Sequence, residues 1–226
     1  MTSSTRIASL RPSSQKAFQL IIFDMDGTLV DSFPLFIRLI NGFADQYGFG
    51  EINDDNLEDF RALPPEKIRE KLALSSFQAF TLLFNCKWQM RKFRHVPQRF
   101  SGIDELLIQL KAQGVRLAIV SSNSKNNCQS YLGEELFSLF DFVIPNASIY
   151  GKKRQIKKII NKTQLPLSKI IYIGDQIIDI QSAHSNSIQA GAVTWGFNNR
   201  QALLAEQPHY LFEDLNQLQK LLLPQA

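Results

Sequence analysis

The stretch Leu20 to Ser32, LIIFDMDGTLVDS, limits what this chain can fold into more than any other. Leu20-Ile21-Ile22-Phe23 is a short continuous apolar run, the pattern of a central strand buried on both faces. Asp24 and Asp26 follow, two residues apart, and then Gly27. Alternate residues of an extended backbone share a face, so both carboxylates aim at one spot. Gly27 lets the chain leave the strand at a backbone angle that other residues resist. Two like charges that close persist only if a cation neutralises them or one of them carries a proton. A hard cation such as Mg²⁺ fits, because it is held by one or two carboxylates, waters and a phosphate. Taken alone, the Asp-x-Asp-Gly string also reads as a strand followed by a polar turn.

The rest of the chain decides between those readings, and its size permits a sizeable core. It has 226 residues, 44% hydrophobic and 20% charged, which implies one or two domains. The net charge of +4 and pI of about 9.1 favour anionic ligands mildly and are too diffuse to imply nucleic acid. Cys86 and Cys128 have no metal-binding spacing and make no disulfide framework, which fits a reducing cytoplasm. No apolar stretch approaches the ~20 residues needed to cross a bilayer. Leu72 to Cys86 lacks charge but is interrupted by Ser75, Ser76, Gln78, Thr81 and Asn85. Residues 1–18 contain no acid and carry Arg6, Arg11 and Lys16 among Ser and Thr. They read as a disordered tail, or as an organelle transit segment.

After Ser32 the periodicity becomes helical. Leu35, Ile37, Leu39, Ile40, Phe43 and Tyr47 form one run that Gly48 and Gly50 end. Asn53 or Asp54 caps a second short helix, Pro64-Pro65 opens a third to Leu72, and a longer one covers about Ser76 to Arg91. No strand is expected before Pro97, so residues 34–96 read as a helical cap inserted into an α/β domain formed by 19–33 and 97–226. From Ser101 helices and strands alternate. Helices are expected over Ile103–Gln113, Ser124–Leu132, Lys153–Lys162, Ile177–Asn186 and Leu215–Leu223. Strands are expected over Val115–Val120, Phe142–Ile144, Ile170–Ile173 and Ala190–Val193, with an edge strand at Tyr210-Leu211. That alternation predicts a Rossmann-like, doubly wound, mostly parallel sheet with helices on both faces.

Such sheets place their sites at the carboxyl ends of strands. There stand Asp24 and Asp26; Ser121, Ser122 and Asn123; the loop to Gly151-Lys152; and Gly174-Asp175 with Asp179 four residues on. Each has an ordinary reading as a helix cap, a turn or a solvated basic face. Together they form a set of carboxylates, a hydroxyl and an ammonium suited to a phosphate and its metal.

This set resembles the haloacid dehalogenase superfamily, whose members are mostly phosphatases. The first motif is DMDGTLVDS. The second, an apolar strand ending in Ser or Thr, matches AIVS at Ser121. The third, a Lys heading a helix, matches Lys152 in YGKK, with Lys153 as the fallback; the Pro that often follows it is missing. The fourth, G-D-x-x-x-D, matches Asp175 and Asp179. The stretch VTWGF, Val193 to Phe197, is similar to capped members of the phosphoglycolate phosphatase type.

The resemblance implies roles. Asp24 attacks phosphorus and forms an aspartyl-phosphate, and Asp26 serves as acid and then base. Mg²⁺ is held by Asp24, the Asp26 carbonyl and Asp175, with Asp179 behind them. Ser121, the Ser122 amide and Lys152 hold the phosphate oxygens. The expected substrate is a small phosphorylated metabolite, and the expected state is a monomer or homodimer, with no nucleic-acid or membrane partner. A β-phosphoglucomutase-like mutase and a catalytically idle binding protein share the scaffold and stay open. Between Lys71 and Ile103 there is no acid, while Lys71, Lys87, Arg91, Lys92, Arg94 and Arg99 are basic. One of them is expected either to reach a substrate anion or simply to solubilise a helix.

Overall fold

A computed structural model describes residues 18–93, 96–148 and 151–223. Its centre is a six-stranded parallel sheet built from β1 (Leu20–Phe23), β4 (Arg116–Val120), β5 (Phe142–Ile144), β6 (Ile170–Gly174), β7 (Gln189–Val193) and β8 (Tyr210–Phe212). The spatial order is β5-β4-β1-β6-β7-β8. All four β1 residues are fully buried. Ile21 and Phe23 enter one apolar layer, while Leu20 and Ile22 enter the other. The continuous apolar run thus does what its lack of alternation implies: it packs on both faces.

The connecting helices are α6 (Ile103–Ala112), α7 (Lys125–Ser138), α8 (Lys152–Thr163), α9 (Ile177–His184), α10 (Arg200–Ala205) and α11 (Leu215–Leu222). The chain runs outward from β1 through β4 to β5, then returns to β6 and proceeds the other way. The reversal falls between β1 and β6, the place where sheets of this kind open a crevice at the strands' carboxyl ends.

Between β1 and α6 lie α1 (Phe33–Asn41), α2 (Ala44–Tyr47), α3 (Leu57–Arg61), α4 (Pro65–Lys71) and α5 (Ser76–Met90). They gather an apolar cluster of their own, which includes Leu35, Leu39, Ile40, Phe60, Leu82, Cys86 and Met90. Two short strands, β2 (Val30–Asp31) and β3 (Gln98–Arg99), pair antiparallel at the base of this helical unit. They tie the chain's entry to its exit.

Some expectations shift. The single helix expected to reach Tyr47 breaks at Gly42-Phe43 into α1 and α2, and Gly48 ends α2 in the left-handed region. Ser124, not Ser121 or Ser122, caps α7 by accepting from the Asn127 amide at 3.2 Å. Helix α7 passes the expected end at Leu132 through a non-helical Gly133. Lys152 is the first residue of α8, one earlier than expected. The expected tail at residues 1–18 lies outside the described residues apart from Phe18, which is buried in the core. Among the described residues no helix is long and apolar enough to cross a membrane.

Candidate active site

Strand register lines up the four loops. Phe23 is level with Ile119 of β4 and Ile173 of β6, so Asp24 emerges beside Val120 and Gly174. Ser121 and Asp175 then stand one residue further on either side. The Asp24 amide donates to the Ile173 carbonyl at 2.9 Å, which carries the pairing to the edge of the crevice.

Asp24, Asp175 and Asp179 are buried, and each offers a carboxylate oxygen within 4.8 Å of the others. Lys152 is 2% exposed, and its Nζ lies 2.7 Å from Asp24 Oδ2 and 2.7 Å from Asp179 Oδ1. Lys153 is exposed on the neighbouring face of α8, so Lys152 is the lysine of this cluster. Two of its three ammonium protons are engaged, and one remains for an incoming anion. Asp24 Oδ1 has no hydrogen bond among the described residues.

Burial dominates the site's electrostatics. It pushes the Asp24 carboxyl up to about 7, against the opposing pull of Lys152. Asp175 rises well above the usual carboxylate range, through burial and then the negative charges of Asp24 and Asp179. Burial alone would lower the Lys152 ammonium, but the Asp179 and Asp24 carboxylates outweigh it and hold it charged. Three carboxylates and one ammonium leave two negative charges when all are ionised. That surplus, on hard oxygen donors, fits a divalent cation such as Mg²⁺.

Asp26 is partly exposed, with its carboxyl raised by burial. Asn123 Nδ2 donates to it at 3.1 and 3.3 Å. The Asn123 side-chain oxygen in turn accepts from Asn127 Nδ2 at 2.6 Å. Ser121 is fully buried, and its Oγ accepts from the Asn123 amide at 3.0 Å. Ser122 is half-buried, and its carbonyl accepts from Lys87 Nζ of α5 at 3.4 Å.

Several supporting groups were not assigned from the sequence. Thr28 Oγ1 donates to Asp175 Oδ1 at 2.8 Å, and the Phe197 amide donates to Asp175 Oδ2 at 2.7 Å. Tyr172 Oη donates to Asp179 Oδ1 at 3.2 Å, and the Gln176 amide donates to Asp179 Oδ2 at 3.1 Å. The backbone approaches so closely that a Cβ on Gly27 or Gly196 would overlap the Asp175 carboxylate. A Cβ on Gly174 would meet that of Asp179. Thr28 stood inside the first motif and Phe197 inside VTWGF, so both had a signal; Tyr172 had none.

One arginine joins the helical unit to this loop. Arg61 donates to the carbonyls of Gly196 at 2.9 Å, Phe197 at 3.2 Å and Thr194 at 3.3 Å. In return Asn198 Nδ2 donates to the carbonyls of Arg61 and Leu63, and the Asn199 amide to that of Arg61. The Phe197 ring packs edge-on against Phe33 and Phe36 of α1.

The family profile described as haloacid dehalogenase-like hydrolase matches residues 21–193, the span that contains every residue of this cluster. The chain belongs to that family. This hydrolase is 35% identical over 196 residues to a phosphoglycolate phosphatase of Synechococcus elongatus, covering 86% of this chain and 92% of the relative. It is 23% identical over 220 residues to the pyrophosphatase PpaX of Bacillus velezensis, covering 91% and 96%. A solved haloacid dehalogenase-like hydrolase, SP0104 of Streptococcus pneumoniae, superimposes with a TM-score of 0.72 at 26% identity, covering 89% of this chain and 97% of that one. The hydrolase is therefore an enzyme of the phosphatase kind, on the α/β scaffold that its sequence alternation predicts.

Proposed function

We propose that this hydrolase is a Mg²⁺-dependent phosphatase that cleaves a small organic phosphate monoester through an aspartyl-phosphate, with phosphoglycolate the first substrate to test. The observation that carries the reading is the convergence of Asp24, Lys152, Asp175 and Asp179 at the sheet's switch point. In the first step Asp24 forms a bond to phosphorus as the bond to the ester oxygen breaks, and Asp26 gives that oxygen its proton. In the second step Asp26 takes a proton from water, which attacks phosphorus, releases phosphate and restores Asp24.

Asp24, the Asp26 carbonyl and Asp175 would hold the Mg²⁺, with Asp179 orienting Lys152 behind them. When bound, the ion neutralises the carboxylates and lets an anionic ester approach them. Ser121, the Ser122 amide and the remaining proton of Lys152 are suited to the equatorial phosphate oxygens, where the transition-state charge collects. Asn123 keeps Asp26 turned toward the leaving group.

Residues 34–96 serve in this reading as a cap that excludes water and reads the rest of the substrate. Of the basic residues between Lys71 and Ile103, Lys71 pairs with Asp59 and Arg99 with Asp104, while Arg94 lies outside the described residues. Lys87 reaches the Ser122 carbonyl in the loop after β4 and senses the charges of Asp26 and Lys152. It is the candidate for a second anionic group on the substrate. The two buried, free cysteines suit a reducing, cytoplasmic setting.

The test is a panel of phosphate esters with and without Mg²⁺, including phosphoglycolate, pyrophosphate and sugar and nucleotide monophosphates. Release of phosphate from a small acid ester, dependent on Mg²⁺, is expected. A sugar phosphate converted to its isomer without release would make the enzyme a mutase, and a blank panel would overturn the small phosphate ester as its substrate.

A further inference from the structure

Helix α5 carries an aromatic stripe that the site does not use. Phe77, Phe80, Phe84 and Trp88 are spaced three, four and four residues apart, so they share an arc of about 80° on one face. They are 75%, 67%, 60% and 53% exposed, and they supply four of the seven large exposed hydrophobic residues among those described. The opposite face, with Leu82, Cys86 and Met90, is packed into the helical unit. The stripe therefore faces outward, and Lys87 at its edge bends to the sheet's loops.

We propose that this face is a two-fold interface with a second copy of the same chain. At roughly 200 Å² for each aromatic residue, the four leave about 500 Å² exposed per copy. Pairing two copies covers about 1,000 Å² from these rings alone, and flanking residues such as Gln78, Thr81 and Asn85 would add to it. That reaches the roughly 1,000 Å² threshold of a specific protein interface, and about 500 Å² per copy stands at the upper end of the largest apolar patch on a monomer.

Charge selects the partner and the orientation. Lys87 is the only charged residue within Ser76–Met90, so the face offers no charge for a differently charged partner to read. A second copy presents the same neutral aromatic surface, as a two-fold contact requires. The basic groups lie at one end, where Arg91 stacks on the Trp88 ring with 5.3 Å from its guanidinium carbon to the ring centroid. Antiparallel packing keeps the two basic ends apart, whereas parallel packing would bring them together. An anionic membrane fits less well, because a surface-lying helix carries basic residues along its polar face. In α5 the face opposite the stripe is buried.

Sedimentation of the full chain over a wide concentration range tests this. Twice the 25.8 kDa chain mass is expected. A Phe80→Asp, Trp88→Glu double variant should sediment as a monomer while its circular dichroism stays unchanged. A Phe84→Cys variant, near the middle of the stripe, should be joined to its mate by a short bifunctional maleimide, since Cys86 and Cys128 are buried. Phe77→Cys should not, because its mate in an antiparallel pair lies about 17 Å away along the helix. A wild-type monomer at every concentration overturns the proposal, as does a dimer untouched by the double variant. A monomer that instead co-sediments with anionic vesicles assigns the face to a membrane, and efficient joining through residue 77 overturns the antiparallel pairing.

Discussion

Lys152 shows how one side chain can hold a site together. It is buried between Asp24 and Asp179, and its charge makes their burial tolerable. Lys152→Met should destabilise the protein by about 3 kcal/mol in urea unfolding, the usual cost of leaving a buried partner uncompensated. Mg²⁺ should restore part of that loss, since a cation then replaces the ammonium. A variant as stable as the wild type would deny Lys152 this role. Gly27 has φ of 75°, and a Cβ there would strike the Asp175 carboxylate. Gly27→Ala should therefore lower Mg²⁺-dependent turnover at least about tenfold, with backbone strain costing on the order of 1–3 kcal/mol. The sequence made Asp24 and Asp26 visible because they are neighbours on one strand. The bond between Asp175 and Thr28 was harder to see, since the two lie 147 positions apart and each motif shows its own residue without the pairing.

At the scale of elements, helices were legible where glycine, proline or a capping serine marked their ends. Helix α5 starts with a reciprocal pair in which the Gln78 amide donates to Ser75 Oγ and the Ser75 amide to Gln78 Oε1. Helix α10 is too short for a periodic signal, and only the Asn199 cap announces it. The β2–β3 pair holds two residues per strand and forms because the helical unit must close on itself, which no propensity encodes. Arg61 links that unit to the loop whose Phe197 amide holds Asp175. Arg61→Met should weaken Mg²⁺ binding several-fold, by loosening that loop, as measured by calorimetric titration. Unchanged affinity would show that the loop holds Asp175 unaided.

An edge element gives a pH signature. The Ala190 amide of β7 donates to His209 Nδ1 at 3.1 Å, and burial, then His184, lowers the His209 pKa below its ordinary 6.5. The unfolded chain then takes up the proton first, so this contribution is present above about 6.5 and is lost as pH falls through the folded value. The melting temperature should drop on acidification from neutral pH, and less so in His209→Asn. An equal drop in both would rule out His209 as a contributor.

For the molecule as a whole, the alternation of helices and strands made the parallel sheet legible, and the rule for its carboxyl ends located the crevice. The spatial strand order, with its reversal between β1 and β6, was not written locally; it follows from how the crossovers pack. The helical unit has its own apolar cluster, and it is tied to the loop that holds Asp175 by contacts such as Arg61 that the sequence does not flag. A fold that buries three carboxylates, two of them on one ammonium, is arranged for a charged ligand, and in the proposed reaction its reactive group is Asp24. The most direct test is Mg²⁺-dependent phosphate release by Asp24→Asn, beside the wild type and with circular dichroism to verify the fold. A loss of at least about 10³-fold in kcat with the fold intact is predicted. Turnover within a few-fold of the wild type would contradict the account.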